Sequence, residues 1–203
     1  MAPSSDSPRR RAIALAGHRG DVDAARAGLS DPSPAVRATA IGALERLGQL
    51  TPSDLETCLL DPSAGVRRRA CEAASLLPGD GPPSLMAVLT DDDIGLVEVA
   101  AWASGERHPP EPGVVPVLCA LATDHGDALV REAAVAALGS IGDEAGLPAI
   151  LAATRDKATV RRRAVLALAP FDGPDVDAAM ALAREDRDWQ VRQAAEDLSD
   201  LTP

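Results

Sequence analysis

The residues of this chain that could do chemistry are few and far apart. His18, His108 and His125 are its histidines, and Cys58, Cys71 and Cys119 its cysteines. A metal centre needs such groups to converge, commonly at i, i+3 or i+4 on one helix. Here the histidines fall in separate turns, and neither a His-Glu pair nor a CxxC spacing exists. Asp124-His125-Gly126-Asp127 has the makings of a loose cation loop, but its composition fits a solvated turn. The cysteines, odd in number, sit at apolar positions of helical segments, where a free thiol packs as a small hydrophobe. Acyl-transfer and phosphate chemistry lack their motifs, since there is no GxSxG elbow and no Gly-rich phosphate loop. Gly139-Ser140-Ile141-Gly142 reads as a helix end, and Asp91-Asp92-Asp93 as a solvated run rather than an acid–base pair. We therefore assign no catalytic, metal or cofactor-binding residue and expect no cofactor.

Composition narrows the partners. The net charge of −11 is concentrated in residues 51–150, which hold 16 acids and 5 bases, while the two flanks balance. Such a body repels nucleic acid and anionic membranes, so neither is the expected partner. Three Arg triplets, Arg9–Arg11, Arg67–Arg69 and Arg161–Arg163, are separated by acidic stretches and do not make the continuous basic track that a phosphate backbone requires. Aromatic residues amount to 1%, against 46% hydrophobic residues, which suits thin layers of small side chains better than a bulky globular core. Arg9-Arg10-Arg11 before Ala12–Ala16 superficially resembles a secretion signal, but the apolar run is too short. No stretch is long enough to span a membrane. The expectation is a cytoplasmic, soluble monomer.

The elements that carry these residues repeat. An acid, a short turn and Val-Arg-x-x-Ala recur in LSDPSPAVRATA (29–40), LLDPSAGVRRRA (59–70), ATDHGDALVREAA (122–134), TRDKATVRRRA (154–164) and REDRDWQVRQAA (184–195), with a degenerate copy in LTDDDIGLVEVA (89–100). The anchors Val36, Val66, Leu96, Val130, Val160 and Val191 are spaced by 30, 30, 34, 30 and 31 residues. Each unit has the periodicity of two helices. Asp21 is placed to cap the first, and Ser33 with Pro34 to open the second. Gly48 stops it, and Thr51-Pro52-Ser53-Asp54 begins the next unit. A segment at 8–20 resembles a lone second helix. The organisation expected is a disordered tail over 1–7, a half repeat at 8–20, then six helix pairs at about 21–48, 51–78, 82–106, 113–142, 145–171 and 174–201. That makes about thirteen helices and no sheet. Ala40, Ala70, Ala100, Ala134, Ala164 and Ala195, each four residues past an anchor, would let neighbouring layers approach closely.

At these residues the chain resembles the HEAT-repeat family, in the short bacterial form also found in phycobilisome lyases. The resemblance covers about residues 8–200 and implies an all-α, right-handed α-solenoid of helical hairpins. It also implies a ladder in which a turn acid and a second-helix arginine join adjacent repeats. Carried onto this chain, the acids are Asp31, Asp61, Asp124, Asp156 and Asp186, and the arginines Arg37, Arg67, Arg131, Arg161 and Arg192. A carboxylate at a helix start accepts backbone N–H groups, and a guanidinium can tie it to the next layer, so the roles are physically sound.

The third repeat breaks the pattern. Val97 stands where other copies carry Arg, Glu98 follows, and Trp102 lies six residues past the anchor. Glu98, Trp102 and Glu106 share one helix stripe at i, i+4 spacing. In the family the second helices line the concave surface, which makes Arg68, Arg69, Glu98, Trp102, Glu106, Glu132, Arg162 and Arg163 the candidate protein-binding residues. Trp102 can be either an interface anchor or a filler that packs into the next layer. Trp189 is expected to staple the last helix onto the stack. The function expected is a non-enzymatic scaffold or adaptor that binds a protein or peptide. The resemblance also admits a chaperone-like subunit of a bilin lyase, for which no residue set supplies an apolar pocket with a convergent base. After it comes a DNA glycosylase, which the broken basic track and the scarcity of aromatic stacking partners disfavour.

Overall fold

The computed structural model describes residues 6–77 and 81–201, and all but one of the segments expected from a 3.6-residue apolar period form helices in it. Among these residues there are twelve α-helices and no strand. The chain forms two compact units, Met1–Val88 and Leu89–Pro203.

The first unit contains α1 (Asp6–Arg19), α2 (Val22–Ala27), α3 (Pro34–Arg46), α4 (Pro52–Leu59) and α5 (Ala64–Leu76). Helix α3 packs between α1 and α5, while α2 and α4 lie against α3 and α5 respectively. Sequence chemistry sets the boundaries. The Asp21 carboxylate accepts the Ala24 N–H at 3.0 Å, and Thr51 and Asp54 form a reciprocal capping box at α4. Gly48 takes φ 64°, which ends α3 without the Cβ clash any other residue would meet. Ser33 does occupy the position before α3 but makes no side-chain cap. Its hydroxyl donates instead to Asp6 at 2.8 Å, while Asp31 accepts the Ser33 N–H at 2.8 Å.

The second unit contains α6 (Ile94–Gly105), α7 (Val114–Asp124), α8 (Ala128–Ile141), α9 (Leu147–Ala153), α10 (Ala158–Ala167), α11 (Pro174–Arg184) and α12 (Trp189–Leu201). Helices α6, α8, α10 and α12 pack successively in one row, and α7, α9 and α11 form the other. All six anchors and all six alanines four residues beyond them are buried across the two units. Small residues set the layer spacing even more directly. A Cβ built on Gly105 would lie 2.6 Å from Ala137 Cα, and one on Gly139 would lie 2.6 Å from Ala167 Cα. Gly17 against Ala43 repeats the arrangement in the first unit at 2.9 Å.

Three expectations are corrected. Asp6 and Ser7 belong to α1 rather than to a disordered tail, and the Asp6 carboxylate holds Arg9 at 2.7 Å; residues 1–5 lie outside the described residues. Among the described residues there are twelve helices where about thirteen were expected, because 82–90 does not form the first helix of its pair. Pro82 and Pro83 remove two backbone donors, and a proline at 83 also turns Pro82 away from the helical region. Leu85, Val88 and Leu89 bury their side chains all the same, the last two in a 3₁₀ turn over Val88–Thr90. Trp189 is no staple: it is 64% exposed at the first position of α12. That helix is held by Val191, Ala194 and Ala195 against Val165 and Ala183.

Candidate functional site

Most of the conspicuous charges belong to one repeated clip. Arg37 donates from Nε and Nη2 to the two oxygens of Asp61, both at 2.7 Å. Its Nη1 donates to the carbonyl of Asp31, in its own turn, at 2.9 Å. Arg131 does the same with Asp156, at 2.6 and 2.8 Å, and with the His125 carbonyl at 2.8 Å. Arg161 reaches Asp186 at 2.8 and 2.7 Å and the Asp156 carbonyl at 2.8 Å. Each guanidinium thus ties its own turn to the turn of the next repeat, and each carboxylate also accepts a backbone N–H of its own turn. Arg9 and Asp31 are paired at 3.2 Å. Arg67 and Arg192 hold the carbonyls of Asp61 and Asp186 at 2.9 and 2.7 Å.

Asp124 is not part of this ladder. It is the exposed last residue of α7, six residues before its anchor, and the acids that do pair lie four or five before theirs. His125 occupies the turn position instead, and its Nδ1 accepts the Asp127 N–H at 3.1 Å as a carboxylate does elsewhere. The preceding repeat has Val97, buried, in place of the arginine. One rung of the ladder has therefore lost both of its charged members, one in each of two successive repeats. A second fastener escaped the sequence reading. Arg26 of α2 grips both oxygens of Asp54 at 2.7 Å and the Gln49 carbonyl at 2.7 Å, closing α2 onto the start of α4.

The hydrogen bonds from their arginines hold the carboxyls of Asp61, Asp156 and Asp186 below the usual carboxylate range. Their folded values lie under the unfolded one of about 3.9, so the stabilisation is complete above roughly pH 4 and is lost as pH falls through the folded values. The urea midpoint should accordingly be flat from pH 7 to about 5 and drop steeply below 4. Asp156→Asn should lower the plateau and flatten that acid limb; an unchanged limb would remove the ladder from the account.

The cysteines are structural in their setting. Burial first, then the charges of Asp61 and Asp54, pushes the Cys58 thiol up to about 11. Cys71 is fully buried, while Cys119 is half-buried near the Ala145 carbonyl. In folded protein at pH 8, Ellman's reagent should react first with Cys119 and reach Cys58 and Cys71 only on unfolding. Fast modification of all three would contradict this packing. No group of three or more metal-ligating side chains converges among the described residues, and none of their helices is long and apolar enough to cross a membrane.

The candidate binding residues divide into engaged and open ones. In the first unit, Arg69 is held between Glu45 and Glu72, whereas Arg68 is exposed on the same helix. In the second, Arg163 approaches Glu132 at 3.5 Å across α8 and α10, and Arg162 is exposed. Trp102 is 42% exposed on α6, so much of its ring stands in solvent rather than filling the next layer. Glu98 and Glu106, one turn to either side, are half-buried and exposed respectively, and no hydrogen bond or ion pair of their side chains is formed among the described residues. The turn that follows closes on itself through Arg107 and Glu111 at 3.2 Å.

The family model for HEAT repeats matches residues 2–76, 82–169 and 115–199. Among solved structures, the chain is similar to Escherichia coli YibA, with 17% identity, 96% of this chain and 74% of that one covered, and a TM-score of 0.65. Human deoxyhypusine hydroxylase is similar at 21% identity, 98% and 81% coverage and a TM-score of 0.51. A designed armadillo repeat protein in complex with the peptide (KR)4 is similar at 16% identity, 94% and 85% coverage and a TM-score of 0.50. At such identities the likeness is one of fold. No curated protein matches the chain by sequence. With three of its junctions closed by the same Arg–Asp clip, and with that match running over nearly its whole length, the chain belongs to the HEAT-repeat family.

Proposed function

We propose that this chain is a non-enzymatic scaffold or adaptor, a cytoplasmic monomer that holds a protein or peptide on the outward face of its second helices. The observation that carries this reading is Trp102: a large aromatic side chain kept 42% exposed in a protein with almost no other aromatics. Leaving such a ring in water forgoes the burial that normally justifies it, and tryptophan is a preferred interface anchor. On its stripe stand Glu98 in α6 and Glu106 just past the end of that helix, and α8 carries the exposed Leu129 and the half-buried Glu132. Arg162 and Arg163 on α10 complete this face in the second unit; Arg68 and Arg69 occupy the corresponding helix face in the first.

A tagged pull-down from the native cell, comparing wild type with Glu98→Ala/Trp102→Ala, tests the proposal. The double variant should fold as judged by circular dichroism and lose at least one partner that wild type retains. A folded variant with an unchanged set of partners would move the binding site elsewhere.

A further inference from the structure

The fold contains an internal example of what belongs beside Trp102. Taking the buried anchor as position zero, a second helix can place a guanidinium at position three that reaches back to carboxylates on the preceding second helix. Arg69 does so from α5: it meets Glu45 of α3, also pairs with Glu72 of its own helix at 3.2 Å, and lies over Gly42. A Cβ built at Gly42 would stand 3.5 Å from Arg69 Nη2. Arg163 reaches from α10 to Glu132 of α8 at 3.5 Å. Between α6 and α8, Glu98 keeps the register of Glu132 at position two, and the cation of position three is gone. Position six of α6 is Trp102 where α3 has Gly42, Glu98 and Glu106 flank it without partners among the described residues, and position three of α8 is Ala133.

We infer that the absent guanidinium is supplied from outside, as an arginine of a basic peptide segment laid across α6 and α8, stacked on Trp102 and paired with Glu98 and Glu106. The chemistry is complementary at each point. A planar guanidinium stacks on an indole and presents N–H groups at its edges to carboxylates. Ala136, at the register of Trp102 on α8, keeps the approach low. The surplus of acids in residues 51–150 favours encounter with a basic segment. This inference rests on the proposed binding face and names its occupant.

The test uses full-length protein carrying Trp189→Phe, so that fluorescence reports Trp102, titrated with an acetylated and amidated Gly-Arg-Gly-Arg-Gly-Arg-Gly peptide. The expected result is a saturable change that weakens with added salt and weakens further when lysine replaces each arginine. Glu98→Gln/Glu106→Gln should lower affinity about tenfold. Ala133→Arg, which restores an internal guanidinium, should abolish binding. Absence of a saturable change in folded protein, or binding indifferent to both sets of variants, overturns the inference. So does preferential binding of a single-stranded DNA oligomer. If the pull-down partner depends on Glu98 and Trp102 while the arginine peptide fails, the cation falls and the face stands. If the partners are also indifferent, both fall.

Discussion

Replacing Gly139 by alanine should destabilise the protein by about 2–3 kcal/mol, although it adds a single methyl group within a helix, where alanine is intrinsically preferred. The added Cβ would lie 2.6 Å from both Cα and Cβ of Ala167, and 3.0 Å from the Ala167 carbonyl oxygen. Backbone cannot rotate away as a side-chain tip can, so α8 and α10 must separate, and every buried pair along their seam loosens together. Gly105→Ala, against Ala137, should behave alike. Gly126→Ala is the control, because nothing lies within 4 Å of its new methyl; it should change stability by no more than about 0.5 kcal/mol. Urea denaturation of the three variants measures this. A Gly139→Ala protein as stable as wild type would mean that the helices do not approach this closely.

The second large effect is expected at Arg161, whose side chain is 8% exposed. Arg161→Met keeps much of the apolar stem but removes three hydrogen bonds at once. It leaves the Asp186 carboxylate and the Asp156 carbonyl without them. A largely buried carboxylate stripped of its cation should cost about 3 kcal/mol. Because most of that cost lies in the stranded charge, Arg161→Met/Asp186→Leu should recover much of it. Arg162→Met, one residue along and exposed, should be nearly neutral. Equal losses at Arg161 and Arg162 would show that the clip carries no special stability.

How much of this was legible in the sequence depended on whether the signal was a residue type or a register. The anchors, the alanines four residues on and the arginines one residue on were legible because they recur at fixed steps along a single helix. Asp124 shows where that fails. Turn geometry is counted back from the anchor: the acids that pair lie four or five residues before theirs, Asp124 lies six before its own, and the preceding repeat offers Val97 where an arginine would meet it. His125 was hidden because its Nδ1 does a carboxylate's work in the turn. Gly139 was read as part of a helix end; only the spacing of α8 from α10 shows that its missing side chain is needed. Pro82 and Pro83 were visible, yet the repeat period overrode them, and the segment buried its apolar residues without becoming a helix. The Trp102 face was half legible: the departure from pattern marked the place, but exposure depends on neighbouring layers that no local period encodes.

The rung that lost both charges has a further consequence. Its two replacements, Val97 and His125, sit in successive repeats, so at this junction those repeats are matched to each other. Joining the repeat ending in α6 to one that carries a turn aspartate would strand a carboxylate. Placing the repeat that begins with α7 behind one bearing an arginine would strand a guanidinium. The repeats are thus not interchangeable bricks. In any recombined or lengthened array built from them, the segment from α6 through α8 should travel as one inseparable cassette, while the repeats bounded by intact clips can be exchanged among themselves.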